Sequence, residues 1–512
     1  MKNSMICAFN RILLVVVFCL TGLTSVQAQD FFDGTTGNRL WSDAANWRDG
    51  QLPTEHSLGV IICSDVVVDM DVTIPGLADE VMCNLIVQEG KKLVVETGIY
   101  WDNGGDFILE DGAQLVHDGW NQNGVQILAL KRIQARSDNH LWNLIASPVM
   151  EDITPSIENG FLTESETGYA LFAYDALHQN WVNYKDSPFV LANGNAYLYA
   201  NALDTVLQFR GTARESFSAT EIGLAYHPGS GNLAGCNFVG NPLPCNAVVS
   251  RSYYVFDEES NYIRPVAHSS DRTVAPCNGI IVEAKEENDA VAFYYGGPYL
   301  HPNADYLEIS VAKSNAPNTI LDQALFSFNP DDRLAKYQFF ENAPQVYFTD
   351  EGQDLAILGV DSVDVQPLKF KAMENASYTL HFELNDLEVE FLQLIDNQTG
   401  TKTDLLATPD YTFSASSNDY PSRFKLVFDP HFGVGENEGV PFAYMSNGTI
   451  IINTDGIQGF ASLQVVDMTG RVVRIYDGDA INRVSIEGLT KGVYVLQLSA
   501  DDGVRTQKIV VF

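Results

Sequence analysis

Residues 460–512 read FASLQVVDMTGRVVRIYDGDAINRVSIEGLTKGVYVLQLSADDGVRTQKIVVF, and this stretch decides the fold class. Apolar residues at Leu463, Val465 and Val473, then at Val493, Val495 and Leu498, recur in short runs with polar residues between them. That spacing suits strands with one packed face. Asp467-Met468-Thr469-Gly470-Arg471 interrupts the runs as a hairpin turn, and Gly488-Leu489-Thr490-Lys491-Gly492-Val493-Tyr494 as another. With TIIINTDG ahead of them, they predict a compact strand pattern over residues 444–512, set off by a linker at 431–443 that contains the Gly-rich HFGVGENEGVP.

The same pattern extends upstream. Apolar runs rich in Val, Ile, Phe and Tyr, such as Val60–Cys63, Tyr253–Phe256, Val291–Tyr295 and Tyr378–Leu384, alternate with Gly, Asn, Asp and Pro. One short helix is expected at Asp331–Phe340, capped by Asp331. The chain is therefore predicted to be all-β and multi-domain. Residues 30–124 open with LWSDAANWRDGQLP, and IVQEGKKLVV can be laid on ILEDGAQLVH with Gly90 on Gly112 and Leu93 on Leu115, 22 residues apart. Such a period predicts a short β-solenoid whose Trp41, Asn46 and Trp47 close one end. Residues 125–298 read as a duplicated β-rich module, in which WNLIASPV (Trp142 to Val149) matches CNFVGNPL (Cys236 to Leu243) and LFAYD (Leu171 to Asp175) matches YYVFD (Tyr253 to Asp257). Each half is read as closing on Asn-Gly, at Asn193-Gly194 and Asn278-Gly279. Residues 305–430 read as a β-sandwich, with turn signals every eight to twelve residues through LQLIDNQTGTKTDLLATPDYTFSASSNDYPSRFKLVF.

Four resemblances follow from these residues. The tail resembles closely the type A sorting domain of the bacterial type IX secretion system across Tyr444–Phe512. Its D-x-x-G-[KR] falls on Asp467, Gly470 and Arg471, its G-L-x-x-G-[VI]-Y on Gly488, Leu489, Gly492, Val493 and Tyr494, and its closing strand on Lys508, Ile509 and Val510. The resemblance implies an immunoglobulin-like β-sandwich, recognised by the type IX translocon at the outer membrane of a Gram-negative bacterium. It also implies removal by a sortase-like peptidase as the cargo is released or joined to anionic lipopolysaccharide. Leu394, Asp396, Gly400, Thr401, Tyr411, Phe413, Arg423, Phe424 and Leu426 resemble the sandwich that often precedes such a tail. The duplicated module, with its SPV and GNP turns, resembles one common in large exported proteins of this kind. The Trp-Asn-Trp opening resembles that of β-solenoid passenger modules on bacterial surface proteins.

The amino terminus fits this destination. Lys2 and Arg11, the apolar run Ile12–Leu20 and the small-residue site ending at Ala28 have the layout of a signal peptide over 1–28, cleaved after Ala28. The nine apolar residues fall short of the roughly 20 that span a bilayer as a helix. Thirty Lys and Arg against 66 Asp and Glu give a net charge of −36, which repels nucleic acid. Beyond the leader, Cys63, Cys83, Cys236, Cys245 and Cys277 are read as disulfides or buried thiols, since none has CxxC spacing or a neighbouring His. The Asp-rich turns at Asp331-Asp332 and Asp396 lack the spacing of a calcium loop, and no metal or cofactor is expected.

No nucleophile elbow, zinc-protease motif, Walker loop or dinucleotide fingerprint occurs, and Pro228–Asn232 reads as a turn. Among 66 carboxylates, a catalytic pair cannot be picked out by abundance. The sequence therefore favours a non-catalytic exported protein, an adhesin or spacer. Modules that bind a glycan or protein through exposed aromatics such as Trp101 and Trp120 are the second reading, and a hydrolase with an unrecognised carboxylate site the third.

Overall fold

A computed structural model of the chain describes residues 29–54, 57–74, 84–101, 105–121, 124–135, 142–163, 168–227, 233–257, 262–295, 305–419, 421–429, 442–446, 449–452, 460–479, 484–500 and 503–511. The leader 1–28 with Ala28, the turn 228–232, Cys83, linker residues 431–441 and Phe512 lie outside these, as does the Trp101 side chain. The chain divides into two compact units, residues 1–108 and 109–512. Among the described residues the only helices are two single 3-10 turns, Ala44–Asn46 and Ile157–Asn159. The rest of the regular structure is strand, so the fold is all-β.

In the first unit the strands run parallel, which a chain can do only by returning to the same side after each pass. Gly59–Ile62 lies beside Asp30–Phe32 and Asn84–Val87, Val66–Val68 beside Lys92–Val95, and Val72–Ile74 beside Ile99–Trp101. These three ladders are the sides of a β-solenoid. Alternate residues such as Val60, Ile62, Leu85, Val87, Leu93 and Val95 are fully buried, because period-two side chains of successive coils stack inward. Val60 lies beside Leu85, 25 residues on, and Val66 beside Leu93, 27 on, so these coils are longer than the 22-residue spacing of Gly90 and Gly112. Trp41 and Trp47 meet edge to face at 4.8 Å, and the Trp47 indole donates to the Trp41 carbonyl at 3.0 Å. Asn46, fully buried, donates to the Leu40 carbonyl and accepts from the Thr36 amide, which ties the turn carrying Trp47 to the segment leading into Trp41.

The duplicated module has the same sheet twice. Strand order in the first half is Asn143–Ala146, Ala196–Asn201, Tyr169–Asp175, Asn180–Asn183. In the second it is Cys236–Gly240, Gly279–Glu283, Tyr253–Asp257, Tyr262–Val266. The registers make Ala146 the counterpart of Gly240 and Ala196 that of Gly279. Across the axis between the halves, the Ala146 amide donates to the Cys277 carbonyl at 3.0 Å and the Gly240 amide to the Gly194 carbonyl at 2.9 Å. Those reciprocal bonds correct the expected match of the two Asn-Gly pairs. Gly194 (φ +86°) corresponds to Cys277 (φ +62°), and Asn278-Gly279 has moved two residues on, into the strand. Gly279 is needed there for closeness rather than for a turn. A Cβ at Gly279 stands 2.3 Å from the Ala196 Cβ, and one at Gly240 stands 2.4 Å from the Ala146 Cβ.

In the third module ten strands follow one path, with Arg333–Ala335 attached beside Gln353–Gly359. Phe424 and Phe413, from opposite ends of that path, meet at 4.9 Å, so the sheet folds over to form two layers around one core. The expected helix at Asp331–Phe340 is not formed. Asp332 is fully buried and accepts from the Ser269 amide and the Ser327 hydroxyl, at 2.9 Å each, while Arg333–Ala335 pairs as a strand. These tertiary partners outweigh the weak local helix preference.

The tail packs a four-stranded sheet, in the order Val472–Asp479, Phe460–Asp467, Gly492–Ala500, Gly503–Val511, on a three-stranded one. Leu463 and Val465 are buried as expected, but on Gly492–Ala500 the buried residues are Tyr494, Leu496 and Leu498, while Val493 and Val495 face outward. Period two allows only one of those sets to share a face with Leu498.

Candidate functional site

In the tail, Asp467 and Tyr494 are paired in register on neighbouring strands. The Asp467 carboxylate accepts from the Thr469 hydroxyl (2.5 Å) and amide (2.9 Å), the Arg471 amide (3.1 Å) and the Arg471 guanidinium (3.0 Å). The Thr469 hydroxyl first, opposed by desolvation and reinforced by the two amides and the guanidinium, holds its pKa down to about 2. Gly470 (φ +84°) and Gly488 (φ +72°) occupy the left-handed region that their turns require. The Tyr494 hydroxyl donates to the Thr490 carbonyl at 2.7 Å, and Leu489 packs at the edge of the core. An added Cβ at Gly492 meets nothing closer than 3.8 Å, and nothing in the structure explains a glycine there. Lys508 lies exposed on the outer face beside Val495. Asp467, Gly470, Gly488 and Tyr494 thus build the domain, whereas Lys508 and the largely exposed Arg471 side chain stand on its surface.

Of the two candidate aromatics, Trp120 is half-buried and meets His117 edge-on at 5.2 Å. His117 is itself buried, which holds its pKa down to about 4, and its Nδ1 accepts from the Gly119 amide at 3.1 Å. Trp120 therefore covers a neutral histidine.

An aromatic cleft of about 350 Å3 opens instead between the two halves of the duplicated module. Trp142, Leu144, Phe172, Trp181 and Leu198 line it from the first half, and Phe238, Phe256, Ile263 and Ile281 from the second. Leu233, Phe339 and Phe340 complete the wall, and the lining carries no ionisable group. Tyr174, Trp181 and Phe238 form a mutual cluster with ring centroids 4.8–5.0 Å apart. The signal in the sequence was the alternation of Phe172 and Tyr174 opposite Trp181; it passes unnoticed because alternating apolar residues usually denote core.

In the third module a buried charged pair is fully engaged. Asp396 and Arg423 form a two-pronged ion pair at 3.0 and 2.7 Å, with the Tyr411 hydroxyl donating at 2.8 Å. Burial pushes the Asp396 carboxyl up, and the Arg423 and Tyr411 contacts outweigh it, leaving the carboxyl below its usual range. Burial raises the Cys277 thiol to about 12 and the Cys236 thiol higher, so both are unreactive in the folded chain. Burial first, then the charge of Glu383 opposite it, raises the Glu308 carboxyl; neither residue lines the aromatic cleft. No group of three His, Cys, Asp or Glu is placed to hold a metal among the described residues.

Comparison with known proteins places this architecture. Residues 446–512 match the secretion system C-terminal sorting domain, which defines the class as all-β cargo of the type IX secretion system, exported to the cell surface or released. Residues 31–287, just over half of the chain, match a domain of unknown function (DUF8693), and the protein belongs to that family. No curated protein matches. Among solved structures, the BSP domain of a biofilm-associated protein is 10% identical over 76% of this chain, with a TM-score of 0.13, and the chain spans 64% of its length. A tetra-tandem repeat from the extending region of a large adhesion protein is 13% identical over 75% of this chain and 99% of that one, with a TM-score of 0.10.

Proposed function

We propose that the protein is a non-catalytic component of the bacterial surface or its surrounding matrix, an adhesin or spacer delivered through residues 444–512. The observation that carries this reading is the chemistry of the aromatic cleft. Its lining is all hydrocarbon and indole, able to bind by burial but holding no group that moves a proton. In this reading a sortase-like peptidase removes the tail within 431–443, and the mature chain is released or joined to anionic lipopolysaccharide. A glycan-binding role through surface aromatics is the second reading, since indole faces stack on sugars.

The test combines cell fractionation with intact-mass analysis of the exported form and an adhesion assay on cells lacking the protein. The expected product begins at Gln29, ends within the linker, and its loss reduces attachment. Hydrolysis of a glycan, ester or peptide panel by the purified protein, abolished in Glu308→Gln, would favour the hydrolase instead. An exported form that retains residues 444–512 contradicts the processing step.

A further inference from the structure

The two halves of the duplicated module turn equivalent outer faces to different surroundings. On the second half, Cys236, Tyr254 and Ile281 are only 1–2% exposed. The segment after Arg333–Ala335 lies over them. Tyr254 meets Phe339 at 5.1 Å and Tyr337 at 6.1 Å, its hydroxyl donates to the Ala335 carbonyl at 2.6 Å, and the Tyr337 hydroxyl donates to the Ala234 carbonyl at 3.1 Å. Tyr337 and Phe339 are two residues apart, and in an extended chain such residues point the same way.

By the strand registers, the counterparts of Cys236, Tyr254 and Ile281 on the first half are Trp142, Phe172 and Leu198. All three are only partly buried, and Trp181 beside them is 37% exposed. Among the described residues no segment covers this face as Tyr337 and Phe339 cover the other. The two surfaces are nonetheless continuous, because Phe339 and Phe340 reach from the covered half into the wall of the open cleft.

We propose that the open face of the first half docks an extended segment of a partner protein carrying aromatic side chains at alternate positions. The second half shows how such a segment sits. A sugar finds only the two indole N–H donors of Trp142 and Trp181 and no side-chain acceptor in the lining, and an anionic lipid approaches a chain of net charge −36. A second copy is no candidate donor of the segment, since its own Tyr337 and Phe339 are already engaged. The inference goes beyond the adhesin-or-spacer reading and stands whether or not the chain is also an enzyme.

The probe is a synthetic peptide of residues 334–342, LAKYQFFEN, added to the full-length protein. Its control carries serine in place of Tyr337 and Phe339. Saturable binding in the micromolar to sub-millimolar range is expected by calorimetry and by a change in tryptophan emission. Trp181→Ser and Phe172→Ser should each weaken it at least tenfold, and the serine peptide should bind at least tenfold more weakly. Trp181 is partly exposed, so Trp181→Ser should keep the native circular dichroism even if Phe172→Ser does not. Absence of saturable binding, equal binding of the serine peptide, or unchanged binding by a folded Trp181→Ser protein overturns the proposal. So does binding of only a soluble oligosaccharide or a neutral alkyl glycoside, or concentration-dependent self-association that hides Trp181.

Discussion

Asp396 shows at the scale of one residue how a motif becomes structure. Leu394, Asp396, Gly400, Thr401, Tyr411, Phe413 and Arg423 are spread over some thirty positions, yet the fold gathers Asp396, Tyr411 and Arg423 around one buried ion pair. Replacing Asp396 by Ala leaves the Arg423 guanidinium buried without its carboxylate, though Arg423 still donates to the Ser414 carbonyl at 2.7 Å. A loss of about 3–5 kcal/mol is expected, measured by urea unfolding. The pair contributes fully above the ordinary Asp pKa near 3.9, and the contribution is lost as pH falls through the lower folded value. His117 acts in a higher window. Its pKa is depressed from 6.5 to about 4, so its stabilising effect is complete above pH 6.5 and is lost as pH falls towards 4. Stability should fall by up to about 3 kcal/mol across that range, and His117→Phe should flatten the profile. The imidazole's burial was not legible in the sequence, where His117 is one polar residue at the end of an apolar run.

At the scale of elements, strands were easier to read than their partners. Tyr253–Phe256, Val291–Tyr295 and Tyr378–Leu384 lie in strands, as does Val60–Cys63 except for Cys63, one residue past the strand end, because branched and aromatic residues between turn formers leave few alternatives. The alternation did not disclose which face is covered, so Val493 and Val495 were expected inside where Tyr494 and Leu496 are found. Nor did it disclose that Gly279 serves close approach. Gly279→Ala sets a new methyl against Ala196 and Leu144, and should cost about 1–3 kcal/mol. Ala196→Gly in the same chain should restore part of that loss, and a double-mutant cycle by urea denaturation reads the coupling. Strictly additive losses would mean that the two residues do not meet across the axis.

At the scale of the whole molecule, the destination was legible because hairpin turns leave sharp marks in sequence. Asp467, Gly470, Gly488 and Tyr494 make local contacts within a few residues of themselves, so their spacing survives as a motif. The aromatic cleft draws on three separate stretches, Trp142–Leu198, Leu233–Ile281 and Phe339–Phe340, and no local spacing records their meeting. A chain truncated before residue 442 should keep its other modules and fail to leave the cell. Immunoblots of cell and medium fractions check this, and normal appearance outside would refute the role of the tail. Gly488→Ala, which forces a side chain into the left-handed region, should reduce export in proportion to the unfolding of that domain.

The reciprocal bonds from Ala146 to Cys277 and from Gly240 to Gly194 are those that two identical subunits make about a twofold axis. This single polypeptide has the anatomy of a fused homodimer, with each copy completing its sibling. A nick at the exposed Phe217–Ala219 should leave two fragments that reassociate, whereas either copy expressed alone would lack the neighbour its inner edge was shaped to meet.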